Sequence, residues 1–192
     1  MNKPKRVVVT GLGALSPIGN NVDDFWDNLI NGVSGADRIT HFDPSQFRTH
    51  FACELKDYDV TEHLEHNMIR RSDPYSQYAL VATEQAVQDS GLDFDEMDPF
   101  DSGVIWGSGQ GGMYTFEEEV KNYADNDYTP RFNPFFVPKL IINMAPAAPN
   151  RWPIMDLVAP IVRWSGLSPK TLTVAFISLI SPTGVEVAWA LR

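Results

Sequence analysis

Apolar positions along this chain recur with two different periods. Residues 5–10 (KRVVVT) form a β-branched run with basic residues at its entrance, which predicts a strand buried on both faces. Residues 11–19 (GLGALSPIG) are punctuated by glycine and proline and predict a long turn. Within 22–31, Phe25, Trp26, Leu29 and Ile30 fall at i, i+1, i+4 and i+5, one apolar helical stripe. Asp23 and Asp24 suit the start of that helix and Gly32 its end. Residues 34–60 mix aromatics with turn formers and predict an irregular, partly extended excursion. Ser72-Asp73-Pro74 then supplies a capping side chain and a proline at the first helical position. The helix it starts reaches Ser90, is apolar on more than one side and stops at Gly91.

The second half of the pattern is shorter in its pieces. A buried strand is predicted over 103–106 (GVIW), followed by a glycine loop over 107–112 (GSGQGG) and an amphipathic helix over 114–123. A loop over 126–132 leads into the proline-bracketed aromatic segment 133–138 (NPFFVP), and a further helix is expected to begin over 140–145. Two adjacent exposed phenylalanines, Phe135 and Phe136, would be costly, so they should fill a neighbouring subunit or a ligand tunnel. Strands alternating with helices predict an α/β fold with at least two parallel strands.

Composition narrows the function classes. The chain has 192 residues, is 43% hydrophobic and carries a net charge of −10. That charge argues against a nucleic-acid partner, which needs clustered cations. The single cysteine excludes a disulfide framework, no Cys/His cluster has zinc spacing, and no metal is expected. No apolar run reaches the roughly 18 residues of a membrane span. A cytoplasmic chain without membrane contact is therefore expected.

Three places carry candidate chemistry. The glycine loop at the carboxyl end of a strand is either a binding crevice or a turn that needs special dihedrals. The G-x-G over 11–13 invites a dinucleotide site, but the third glycine would fall at Ser16, and Pro17 follows where a helix should begin. Arg70-Arg71 is the only adjacent basic pair beyond the N-terminus, and it is either a docking point for an anionic partner or a solvated pair. Cys53 precedes a glutamate, which points to an inert thiol.

The segments VVVTGLGALSPIGN, FWDNLINGVSG, RRSDPYSQYAL, GVIWGSGQGG and NPFFVPKLIINMA, in this order, resemble the β-ketoacyl-[acyl-carrier-protein] synthases, chain-elongating enzymes of the thiolase fold. The resemblance spans about residues 5–145 and covers the N-terminal part of an enzyme roughly twice this length. It implies an incomplete N-terminal half of a thiolase-like fold, with a mostly parallel sheet and flanking helices. It places Gln110, Phe135 and Phe136 at an acyl pocket, one of the phenylalanines reaching across a homodimer interface. It places Arg70 and Arg71 where an acyl carrier protein docks through its acidic helix and phosphopantetheine arm. No separate cofactor is implied, because the substrates ride on that arm.

The family reaction is a decarboxylative Claisen condensation. A cysteine takes the acyl chain as a thioester, and two histidines support decarboxylation of malonyl-carrier protein and hold the oxyanion. Neither element is matched here: Cys53 comes far too early, and His41, His50, His63 and His66 all precede the glycine loop. The chain itself is thus expected to be inactive. A non-catalytic partner subunit resembling a chain-length factor is the alternative, and a nucleotide-binding module is disfavoured by Pro17.

The resemblance stops after Ala145, so we divide the chain into a synthase N-terminal region, 1–145, and an atypical tail, 146–192. The first holds 11 basic and 23 acidic residues; the second holds 4 and 2, with 6 of the 14 prolines and 3 of the 5 tryptophans. Residues 154–161 (IMDLVAPI), reread in another frame, permit the Tyr-Gly-Phe-x-Gly-Pro-Asn-like segment that the family has next. We therefore expect the tail to be an out-of-frame translation, and the chain to be poorly soluble because half a thiolase fold leaves faces uncovered. The apolar stretch 171–180 adds to that risk.

Overall fold

The computed structural model describes residues 8–91, 93, 102–106, 108–142, 172–176 and 186–191, with the strands at 102–106, 172–176 and 186–191 described as backbone. Strand β1 is Val9–Leu15, followed by helix α1, Val22–Ile30. A short hairpin pairs β2, Asp37–Arg38, with β3, Phe51–Ala52. Helices α2, His66–Arg71, and α3, Pro74–Ser90, come next. Strand β4, Ser102–Trp106, precedes α4, Met113–Asp125, and α5, Phe136–Leu140. Strands β5, Leu172–Phe176, and β6, Glu186–Leu191, belong to the tail.

The strand expected over 5–10 overlaps β1 at Val9 and Thr10, and residues 5–7 lie outside the described residues. β1 continues through the G-x-G stretch, for which the pattern predicts a turn, while Val8 and Val9 are exposed. The reason is the approach of α3. A Cβ on Gly11 would run into the Ala86 carbonyl and Ser90, and one on Gly13 into the Ala82 carbonyl. Glycine there lets helix and strand backbones touch, which accounts for these two residues without the dinucleotide site that the G-x-G invites. The amides of Leu12 and Ala14 donate to Asp89 Oδ2 at 2.9 Å and Gln85 Oε1 at 3.0 Å, so helix side chains satisfy one edge of β1. The turn itself closes at Ser16 and Gly19, whose backbones exchange two hydrogen bonds.

α3 is the helix around which the described core forms. The Asp73 side chain accepts from Tyr75 N–H, Pro74 opens the helix, and Gly91 ends it at φ +59°. Ten of its residues between Tyr75 and Val87 are buried, as its two-sided apolar pattern predicts. Leu15, Leu64, Leu80 and Val81 form the core cluster, with Leu55, Tyr58, Val60, Met68, Ile69 and Tyr78 packed on it. Each fully buried Leu or Val there contributes about 1.5–3 kcal/mol.

Three expectations need correction. The α1 stripe buries none of its residues: Trp26, Leu29 and Ile30 face out, because no described element lies over them. The helix expected from 140 starts at Phe136 instead and ends at Leu140; Pro138 sits in its first turn, where an amide has no helical partner to lose. The described ladders are not mostly parallel. β4–β5 is parallel, with Val104 opposite Val174, while β1–β6 and β2–β3 are antiparallel. The expected burial of residues 103–106 and the course of 143–145 lie outside the described residues.

Candidate functional site

The site is built at the junction of α2, α3, α4 and α5. α2 ends in Arg70 and Arg71, both exposed, where cations suit the negative end of a helix dipole. Two residues on, Asp73 is only 2% exposed. Its Oδ1 accepts from Tyr75 N–H at 3.2 Å, and its Oδ2 from Thr115 N–H at 2.9 Å. Thr115 is the third residue of α4, whose N-cap, Gly112, has no side chain to offer. One carboxylate thus caps two helices and ties the arginine pair to the glycine loop.

The glycine loop is explained largely by backbone contact. Gly111 adopts φ +71°, and a Cβ on it would press on the Leu140 carbonyl oxygen; one on Gly112 would overlap the Lys139 carbonyl. Gly112 N–H donates to Leu140 O at 3.1 Å, and Ser108 Oγ accepts from Gly111 N–H at 3.1 Å. The loop packs on α5, and Gln110 is exposed. Gly107 lies outside the described residues. Below the loop, Tyr75 Oη donates to Ile141 O at 2.7 Å, and burial pushes the phenol pKa up.

Phe135 and Phe136 are half-buried rather than exposed. The Arg71 guanidinium lies 5.3 Å from the centre of the Phe135 ring, within cation–π reach. Phe136 stacks between Phe132 at 5.6 Å and Phe116 at 6.5 Å, and Phe132 meets Tyr123 at 5.4 Å. Beside them runs an open groove of about 540 Å³ lined by Arg70, Glu119, Asn122, Arg131, Phe132, Asn133, Pro134 and Phe135. The structure therefore brings Arg70, Arg71 and Phe135 together, stacks Phe136 behind them, and leaves Gln110 outside the groove.

Sequence reasoning missed Arg131, Glu119 and Asn122 at this groove. The spacing of Phe116, Glu119 and Tyr123, at i, i+3 and i+7, would have put the glutamate on the aromatic face of α4. Arg131 sits in a loop, where no periodicity points to it. Chemically the groove can hold an anion between arginines against aromatic walls. Among the described residues no group of three or more His, Cys, Asp or Glu could hold a metal, and no helix is long and apolar enough to cross a membrane. Cys53 is a partly exposed free thiol next to β3, remote in sequence from this junction.

A family model described as "Beta-ketoacyl synthase, N-terminal domain" matches residues 4–152, and the chain belongs to that family. Among its curated relatives, the 3-oxoacyl-[acyl-carrier-protein] synthase 2 of Staphylococcus aureus (strain COL) is 47% identical over 145 residues, covering 76% of this chain and 35% of that protein. The synthase 2 of Synechocystis sp. is 40% identical over 141 residues, 73% of this chain and 34% of that protein. The chain spans about a third of the length of these relatives. Among solved structures, "The ishigamide ketosynthase/chain length factor" superposes with a TM-score of 0.67 at 27% identity, covering 73% of this chain and 35% of that one. A type II polyketide ketosynthase in complex with its acyl-carrier protein gives 0.59 at 28% identity, over 74% and 37%. The fold is thus that of the thiolase-like ketosynthases.

Proposed function

We propose that this chain carries the carrier-protein docking corner and part of the acyl-pocket wall of a 3-oxoacyl-[acyl-carrier-protein] synthase. The observation that carries the reading is the pair Arg70 and Arg71, exposed beside an aromatic groove in a chain of net charge −10. A local positive patch on an acidic chain selects an acidic partner and leaves the rest of the surface repulsive. In the intact enzyme the partner delivers acyl and malonyl groups on its phosphopantetheine arm. The condensation then extends the chain by decarboxylative attack on a cysteine thioester, in a homodimeric cytoplasmic enzyme that needs no other cofactor. Gln110, Phe135 and Phe136 border the acyl chain in that assembly.

Residues 1–192 hold no match to the cysteine elbow or the two histidines, so the role we assign to them is docking and not condensation. Residues 146–192 are read as an out-of-frame tail; sequencing the DNA around codon 144 tests this, and a gene with no alternative frame encoding a cysteine elbow overturns it. Incubation with radiolabelled acyl-carrier protein tests the inactivity. No label should transfer to the chain, and a thioester on Cys53 would contradict the reading. The superposition on a ketosynthase/chain-length-factor structure favours one second reading, a non-catalytic partner of an active synthase. That reading requires co-purification with a full-length synthase.

A further inference from the structure

We propose that Glu119 is a positioning residue that sets the aromatic segment beneath the docking arginines. α4 holds the segment 128–136 at three points on one face. Two of these are ring contacts: Phe116 on Phe136, and Tyr123 on Phe132 and Tyr128. These contacts are one stacked, one tilted and one edge-on pair. Apolar ring contacts carry less directional constraint than a hydrogen bond, so they set the spacing of the segment more than its register. The third point is directional. Glu119 Oε2 accepts from Asn133 N–H at 3.1 Å, and Asn133 Oδ1 accepts in turn from Phe135 N–H at 2.9 Å. The Asn133 carbonyl also takes Phe136 N–H at 2.8 Å, which opens α5. This relay places Phe135 under the Arg71 guanidinium and brings Arg131 to the same groove as Arg70. A hydrogen bond to a carboxylate is among the stronger ones available for such a task.

Glu119 also lines the groove, so it adds a negative charge beside the two arginines. A carboxylate that acted only through its charge would weaken an acidic partner, and every neutral replacement would strengthen binding. Positioning makes a different prediction: Glu119→Gln keeps an acceptor for Asn133 N–H, whereas Glu119→Ala removes it. The two variants therefore separate the roles.

The first readout is tryptic cleavage after Arg131 in the 192-residue chain at low concentration, compared with cleavage after Arg48 in the distant hairpin loop. Glu119→Ala should speed the cut at Arg131 about tenfold with Arg48 unchanged, and Glu119→Gln should leave both at the parent rate. Equal rates at Arg131 in all three chains, or acceleration at both sites alike, overturns the proposal. The second readout, titration with acyl carrier protein, rests on the docking reading above. Glu119→Ala should weaken binding several-fold while Glu119→Gln does not; tighter binding by both variants shows charge alone and overturns positioning. If Arg70→Ala and Arg71→Ala leave carrier binding unchanged, the docking reading fails, while the proteolysis result still decides the role of Glu119.

Discussion

The unit of β1 and α3 and the unit of α4 and α5 are finished to different degrees. In the first, glycines at 11 and 13 seat the strand on the helix, Leu15 and Val81 are almost fully enclosed, and the amides of Leu12 and Ala14 find side-chain acceptors. In the second, Thr115 is the only buried residue of α4 and α5 buries none. Met113, Phe116, Val120, Phe132 and Val137 face outwards, Val137 at 60% exposure. A domain core closes around the first unit. The second leaves most of its apolar side chains exposed among the described residues. We therefore expect the isolated chain to aggregate on heating; a sharp, reversible calorimetric melt would contradict this.

Asp73 joins the two units, so its loss has the largest expected effect. Asp73→Ala leaves the N–H groups of Tyr75 and Thr115 without their buried acceptor and should cost about 3 kcal/mol or more. Urea unfolding followed by circular dichroism reads it directly. A change below about 1 kcal/mol would mean that the units are not coupled through this carboxylate.

Matched glycine substitutions set the two units against each other. Gly13→Ala pushes β1 off α3 inside the finished core, and a loss of about 1–3 kcal/mol in global stability follows. Gly112→Ala produces a similar overlap with the Lys139 carbonyl, but in the unit whose helices bury little else. It should loosen α5 and raise amide exchange there, with little shift in the global midpoint. Equal global losses from both would erase the distinction.

The smallest effect lies in the hairpin loop. Burial raises the pKa of Glu54, but hydrogen bonds from Thr40 Oγ1 and Thr40 N–H, with the His41 side chain and amide, outweigh it and hold the carboxyl below its ordinary value. A carboxyl depressed on folding stabilises at pH values above its unfolded value of about 4.3, and that contribution disappears as pH falls through the folded value. Amide exchange at Thr40, corrected for its intrinsic pH dependence, should stay protected at pH 6 and rise below about pH 4. Glu54→Gln should remove that step, and persistence of the step in the variant would assign it elsewhere.

The helices α3 and α4 are legible in the sequence, whereas the seat of β1 on α3 and the start of α5 are not. Asp73-Pro74 and Gly91 mark both ends of α3 by capping chemistry, and its two-sided apolar composition announces its burial. Those signals are local, so single-sequence reasoning reaches them. The position of β1 was missed because glycines at 11 and 13 read as turn residues, whereas close approach to Ala82 and Ala86 is what requires them. The groove was half legible. Arg70, Arg71 and Phe135 stood out by type, but Arg131 and Glu119 reach it through ring stacking and a hydrogen bond across 14 positions, which no local pattern encodes. Gln110 stood out by its glycine neighbours, yet those glycines serve the contact with α5.

Titration of the 192-residue chain with acyl carrier protein at low and high salt, alongside the Arg70→Ala/Arg71→Ala double variant, is the most direct test of the docking corner. The parent chain should bind with an affinity that falls as salt rises, and the double variant should bind at least tenfold more weakly at low salt. Equal affinity of the two chains would place the carrier elsewhere and contradict the account.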